Sequence, residues 1–154
     1  MSYLKSLLSA LLLLGAVTGA TAQKQAPLRE PDVNKPALFA DLPASLPVTE
    51  ALLSGLLELP LGNTVALPVS GKFRLEGTVV SQSDAADTCV RSIVLRSPVR
   101  GGATLSLSRV CRPGGGYDWS ARMLGYNGGD ALELVCENGR YQFVKRGLYD
   151  LLSE

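Results

Sequence analysis

The side chains best suited to chemistry in this 154-residue chain are two arginines and three aromatics: Arg91, Arg109, Tyr117, Trp119 and Tyr141. A guanidinium beside aromatic rings can take a carboxylate through paired N–H groups, while an indole offers a stacking surface for a sugar acid. The same residues also suit the rim of a sheet, where arginine stems cover rings and the charged heads reach water.

Three cysteines come next, Cys89, Cys111 and Cys136, and in an oxidised protein one of them is left over. Cys89 and Cys111 are equidistant from the loop Pro98-Val99-Arg100-Gly101-Gly102, so a hairpin centred on Arg100 sets them opposite each other, within disulfide reach. A bridge of that span is worth about 3 kcal/mol in the chain-entropy account. Cys136 is then expected as a buried free thiol beside Trp119 and Tyr141. Three reduced core cysteines and the pairing Cys111–Cys136 are the alternatives.

Paired carboxylates are a third possibility. Asp118 falls opposite Glu137, the arrangement that glycoside hydrolysis uses. Each has an arginine near it in the pattern, as Arg122 has Glu133, so solvated ion pairs account for them more simply. The chain contains no histidine. That excludes Ser-His-Asp and Cys-His catalysis, histidine metal sites and imidazole switching, and no cofactor or metal motif takes their place. Gly114-Gly115-Gly116 reads as a turn, since no helix with Lys-Ser/Thr follows it as a phosphate loop requires.

These residues must be positioned by strands. From Val65 onward, short alternating runs are separated by turn residues, the pattern of an antiparallel meander. Asn127-Gly128 and Asn138-Gly139 are dipeptides that two-residue type I′ turns favour. Folding at each turn pairs Ile93 with Leu107, Arg91 with Arg109, Arg109 with Trp119, Leu107 with Ala121, Ala121 with Leu134 and Trp119 with Cys136. The apolar set shares one face, and a slip of one residue would turn it to solvent. The expected fold is mainly β: a seven-strand antiparallel meander, either a curved sheet or a small barrel. A short N-terminal helix, capped by Thr49 and ended by Pro60, and a short C-terminal helix at 148–152 would cover it.

The start of the chain reads as a secretory signal peptide over residues 1–22: Lys5, an apolar run from Leu7 to Val17, and the small-residue site Ala20-Thr21-Ala22 before Gln23. The run falls short of the roughly 20 residues that a membrane-spanning helix needs, so no span is expected in the mature chain. Residues 23–36 read as a flexible leader and 37–154 as a single β-meander domain. Cleavage near Ala22-Gln23 removes only Lys5 among charged residues and leaves a formally neutral chain. Neutrality without a basic stripe argues against nucleic acid as a partner. The expected protein is therefore secreted or periplasmic, non-enzymatic, and a binding module. Its partner would be a protein met along a sheet edge, or a small anionic or carbohydrate ligand at the arginine–aromatic end. Inhibition of a secreted hydrolase through the loop Ser81–Thr88 or the arm Pro36–Pro47 is the alternative, and a carboxylate-based hydrolase stands behind it.

Overall fold

In this computed structural model the described residues are 35–152, apart from 72, 85 and 149. The expected signal peptide and residues 23–34 of the expected leader lie outside them. β-Branched and leucine-rich stretches broken by Gly and Asn turns form strands β2 (Thr64–Ser70), β3 (Phe73–Gln82), β4 (Val90–Arg96) and β5 (Thr104–Cys111). They continue as β6 (Tyr117–Leu124), β7 (Asp130–Glu137) and β8 (Arg140–Gly147). Each pairs antiparallel with its sequence neighbour. An eighth strand, β1 (Ser45–Val48), pairs with β8 and brings the sheet order to β1-β8-β7-β6-β5-β4-β3-β2. The expectation of seven strands missed β1 because four residues are too few to show a period. Its alternation is nonetheless regular, with Leu46 and Val48 buried and Ser45 and Pro47 outside.

The inner stripe is continuous. Ile93, Leu95, Leu105, Leu107, Ala121, Met123, Leu132, Leu134 and Phe143 are all buried in one cluster. β4 and β5 adopt the expected register, with Arg91 facing Arg109, Ile93 facing Leu107 and Leu95 facing Leu105. β6 and β7 follow the expected register only over Arg122–Glu133, Met123–Leu132 and Leu124–Ala131. Beyond that the ladder opens, and the expected pairs Ala121–Leu134 and Trp119–Cys136 are not part of it.

Asn138 and Gly139 have φ of 51° and 74°, the left-handed conformations of a type I′ turn. Asn127 and Gly128 do not have positive φ. There the Gly128 N–H bonds to the Gly125 carbonyl at 3.0 Å, in a longer loop that keeps the same register. The glycines of this loop are required by close approach. A Cβ on Gly125 would collide with Leu38 Cδ1, and one on Gly128 would lie 2.8 Å from the same atom.

The curled sheet has two ends and a seam. Helix α1 (Glu50–Leu57) lies across one end. Thr49 caps its start by accepting from the Leu52 N–H at 3.2 Å. Leu53, Leu56 and Leu57 face the core. At its other terminus the Leu57 carbonyl accepts from Gln82 of β3 and Arg91 of β4. The opposite end is closed by the arm before β1. Phe39 is fully buried there, the Asp130 carboxylate accepts from the Leu38 and Phe39 N–H groups, and Lys145 donates to the carbonyls of Phe39 and Leu42. Pro36, at the end of the expected leader, accepts from the Gly129 N–H at 2.9 Å. The C-terminal segment contributes a three-residue 3-10 turn, Asp150–Leu152, in place of the expected covering helix. Its two leucines are too few for the apolar stripe that a longer helix would bury.

The seam between β1 and β2 stays unladdered, and two prolines explain why. The Lys145 N–H bonds to the Ala44 carbonyl, so residues 44, 46 and 48 address β8, while Ser45 and Pro47 point the other way. The Val79 N–H bonds to the Asn63 carbonyl, so on β2 it is Thr64, Ala66 and Pro68 that point away from β3. Each edge therefore presents a residue without an N–H where a closing ladder would need a donor. The result is a nearly closed, barrel-like sheet.

Gly125→Ala is expected to lower stability by about 1–3 kcal/mol through displacement of Leu38. Leu38→Ala in the same chain should recover part of that loss, and a double-mutant cycle by denaturant unfolding measures the coupling.

Candidate functional site

Strand alternation carries the inner stripe past the core to the end covered by α1, where its last members are Arg91, Arg109, Tyr117, Trp119 and Tyr141. Arg91 and Arg109 are cross-strand partners, Arg109 and Trp119 are the next pair, and Cys111 faces Tyr117. Tyr141 pairs with Val48 and with Cys136. The sheet thus brings four of the five predicted residues together on β4, β5 and β6. Tyr141 lies across the opening between β6 and β7. The helix bridges that opening: Trp119 Nε1 donates to Glu50 Oε1 at 3.1 Å. Burial, and after it the nearby Cys136 and Glu50, hold the Tyr141 hydroxyl above the ordinary phenol pKa.

The two arginines differ in their partners. Arg91 has only 11% of its side chain exposed, donates to the Leu57 carbonyl at 3.2 Å and lies 3.7 Å from Glu58. It is a cationic cap on the C-terminal end of α1, where the helix dipole favours positive charge. Among the described residues Arg109 has no carboxylate partner. Its guanidinium sits 4.1 Å from the centre of the Tyr117 ring and 5.7 Å from that of Trp119. Its Nε is buried without a hydrogen-bond partner, as is that of Arg91. A cation held by rings, with an unmet donor, has the chemistry to receive a planar anion.

The predicted disulfide is formed. Cys89 and Cys111 are bridged, with Cα atoms 4.9 Å apart, and the Cys111 N–H bonds to the Cys89 carbonyl at 2.9 Å. Cys136, expected to be buried, is exposed. Because the β6–β7 ladder opens before reaching it, Trp119 turns to Glu50 on the helix and does not cover the thiol.

The loop before β4 is organised by Asp87, whose Oδ1 accepts from the Cys89 N–H at 2.8 Å and the Val90 N–H at 2.9 Å. These bonds, that from Val90 first, hold the Asp87 pKa below its usual 3.8. The arm, the other segment considered for inhibition, buries Phe39 and Leu42 in the core. Asp118 is held by Arg112 and Glu137 accepts from Gln142 at 3.0 Å, so neither carboxylate is free, and the β6–β7 ladder does not bring them opposite each other. Arg122 and Glu133 pair as expected, at 2.8 Å. Among the described residues no cluster of three or more Cys, Asp or Glu side chains could hold a metal ion. No helix among them is long and apolar enough to cross a membrane.

Sequence reasoning did not find Glu50 as the partner of Trp119. Its only signal was an acidic residue in the first helical turn, which the helix dipole already explained. It also missed an open cleft of about 640 Å³ where the β1–β2 seam meets the start of α1, with Arg140 at its edge.

No protein-family model matches this chain, and neither does any curated protein or solved structure. The fold and the mouth therefore define the class without outside help: a nearly closed antiparallel sheet carrying an arginine–aromatic cluster at its helix-covered end.

Arg91→Met is expected to cost about 1–3 kcal/mol, because it strips a charged donor from the helix terminus. Arg109→Met should stay within about 0.5 kcal/mol of the parent or stabilise it, since it removes an unmet buried donor. Thermal and urea unfolding of both variants compares them directly. A depressed carboxylate pKa stabilises the fold above the unfolded value and loses that effect as pH falls through the folded value. The stability advantage of the parent over Asp87→Asn should accordingly be full above about pH 5 and shrink steadily on acidification below about pH 4.

Proposed function

We propose that this protein is a small exported, non-enzymatic binding module that holds a carboxylate-bearing sugar, or a comparable small anion, at the helix-covered mouth of its sheet. The observation that carries this reading is Arg109: a guanidinium stacked on Tyr117 and flanked by Trp119, with no carboxylate partner among the described residues. In this reading Arg109 receives the carboxylate and Trp119, fixed through its indole N–H by Glu50, supplies the stacking surface. Tyr117 holds the guanidinium plane. Arg91 is outside the ligand set and fixes the helix that forms one wall.

Several features support the compartment and the class. The basic start, apolar run and small-residue site at the beginning of the chain favour export, and the Cys89–Cys111 bridge is compatible with an oxidising environment. The core beneath the mouth is filled by side chains, so a ligand is held at the rim and not swallowed. Carboxylates that could act as acid and base are each tied to a neighbour, which favours binding over hydrolysis.

Trp119 is the only tryptophan of the chain, so intrinsic fluorescence reports on this site alone. Titration with galacturonate and with glucuronate is expected to change that emission saturably and to raise the melting temperature. Neutral galactose should do so far more weakly, and Arg109→Gln should abolish the difference between acid and neutral sugar. An emission that stays unchanged up to high millimolar sugar acid, or a response that Arg109→Gln leaves intact, overturns the reading.

A further inference from the structure

Two of the chain's four asparagines precede glycine, Asn127 and Asn138, and the structure holds them in opposite ways. An asparagine before glycine is open to ring closure, because no side chain on the second residue hinders attack by its amide nitrogen. At Asn127 that nitrogen is occupied. The Gly128 N–H donates to the Gly125 carbonyl at 3.0 Å, and the N–H that follows, of Gly129, donates to the Pro36 carbonyl at 2.9 Å. Gly128 is also buried against Leu38, whose Cδ1 would lie 2.8 Å from a Cβ placed there. Turning this peptide unit breaks the bond to Gly125 and displaces the leucine. Asn138 is under no such restraint. It and Gly139 are exposed, a Cβ on Gly139 would meet nothing within 4 Å, and the ladder ends at Glu137–Arg140. Among the described residues the Gly139 N–H has no hydrogen-bond partner. Asn138 is also the only described residue other than glycine with positive φ, at 51°, a conformation that costs an L residue energy. Asn63 is followed by the branched Thr64, and Asn34 lies outside the described residues.

We propose that Asn138 is a site of spontaneous deamidation in the folded protein, and that the fold protects Asn127 from the same reaction. The Gly139 amide nitrogen attacks Asn138 Cγ. The N–Cγ bond forms, the Cγ–Nδ2 bond breaks, and ammonia leaves with the proton that Gly139 gives up. Solvent water then opens the succinimide ring at either carbonyl, giving aspartate or its isomer linked through the side-chain carboxyl. Water is consumed, ammonia is released, and nothing is oxidised or reduced. Ring closure requires the turn to leave its left-handed conformation briefly. An exposed two-residue turn with nothing packed on it does so by local opening at the end of its ladder, whereas the Asn127 loop must first give up its contact with the arm. Either product places a carboxylate in the hollow of about 290 Å³ lined by Glu137, Arg140 and Gln142. The isomer also lengthens the backbone by a methylene group, which a two-residue type I′ turn cannot absorb without moving the Glu137–Arg140 pair. The tip of the β7–β8 hairpin thus ages from a neutral turn into an acidic one. This site does not depend on the sugar-acid reading, which rests on Arg109.

The test is peptide mapping by mass spectrometry of the folded, disulfide-bonded protein during warm incubation at mildly alkaline pH, beside a parallel incubation in urea. In the folded protein Asn138 is expected to convert about tenfold faster than Asn127 or more, the factor that one hydrogen bond and a displaced side chain impose on opening. In urea, where neither loop is held, the two rates should converge. Leu38→Ala should speed conversion at Asn127 and leave that at Asn138 unchanged. Asn138→Gly, which a type I′ turn accepts, should abolish the acidic species that ion-exchange chromatography separates from the parent. Conversion at Asn127 as fast as at Asn138 in the folded protein overturns the proposal. So does a folded protein in which neither amide changes while the chain in urea converts. A preference for Asn138 that persists undiminished in urea also overturns it, since local sequence and not the fold would then be the cause.

Discussion

A sheet with one apolar face must find something to lay that face against, and here it lies against itself. Phe73, Leu75, Val79, Ile93, Leu105, Leu107, Met123, Leu132 and Phe143 meet across the interior only because the sheet curls until its far strands approach each other. Period-two alternation, once committed to this stripe, leaves no freedom over what comes next along each strand. The residues two and four places beyond the core remain on the inner parity whether or not there is core left to fill. Arg91, Arg109, Tyr117 and Trp119 meet at the helix-covered end for that reason, and Tyr141 lies across the β6–β7 opening from them. The candidate site is thus the continuation of the core stripe past the point where apolar packing ends.

Curling creates three openings, and the chain treats them differently. The end opposite the mouth is sealed by polar bonds to backbone: Asp130 takes the N–H groups of Leu38 and Phe39, and Lys145 gathers the carbonyls that the arm cannot pair internally. Arg100 adds a second clasp, bound to Asp41 and packed over Phe39 and Phe73. The mouth is covered by a two-turn helix whose leucines complete the core and whose terminus is held by Arg91. The lateral seam is left open by proline on both sides. Pairing edges is the simplest way to hide them, and proline is among the ways to keep exposed edges from recruiting other strands indiscriminately. Using it on both facing edges leaves a gap with acceptors but few donors.

Much of this was legible in the sequence, though not always for the right reason. Asn138-Gly139 specifies its turn through left-handed φ, and the β7–β8 register follows from it. Asn127-Gly128 led to the correct β6–β7 register, but the glycines there serve packing: they make room for Leu38, some ninety residues away in the chain, a constraint that no local pattern displays. The Cys89–Cys111 bridge was readable because a hairpin fixes both partners by symmetry about one loop. The exposure of Cys136 was not, since it depends on where the β6–β7 ladder stops, which no local pattern displays. β1 was hidden by its brevity, and the seam cleft was hidden with it.

Arg91 and Arg109 show how far register can carry an argument about function. They are directly opposed, on the same face and of the same type, and from sequence they were one feature. The helix separates them, because its C-terminal carbonyl lies within reach of Arg91 alone. A charged hydrogen bond of that kind contributes about 1.5–3 kcal/mol, enough to make Arg91 structural. Each arginine leaves a buried Nε unmet, at about 1–3 kcal/mol; at Arg91 the helix carbonyl offsets that cost, whereas at Arg109 only ring stacking does, at about 0.5–2 kcal/mol. Arg109 is therefore the member of the pair whose guanidinium meets rings and no hydrogen-bonded acceptor, and the proposal of an anionic ligand rests on that difference.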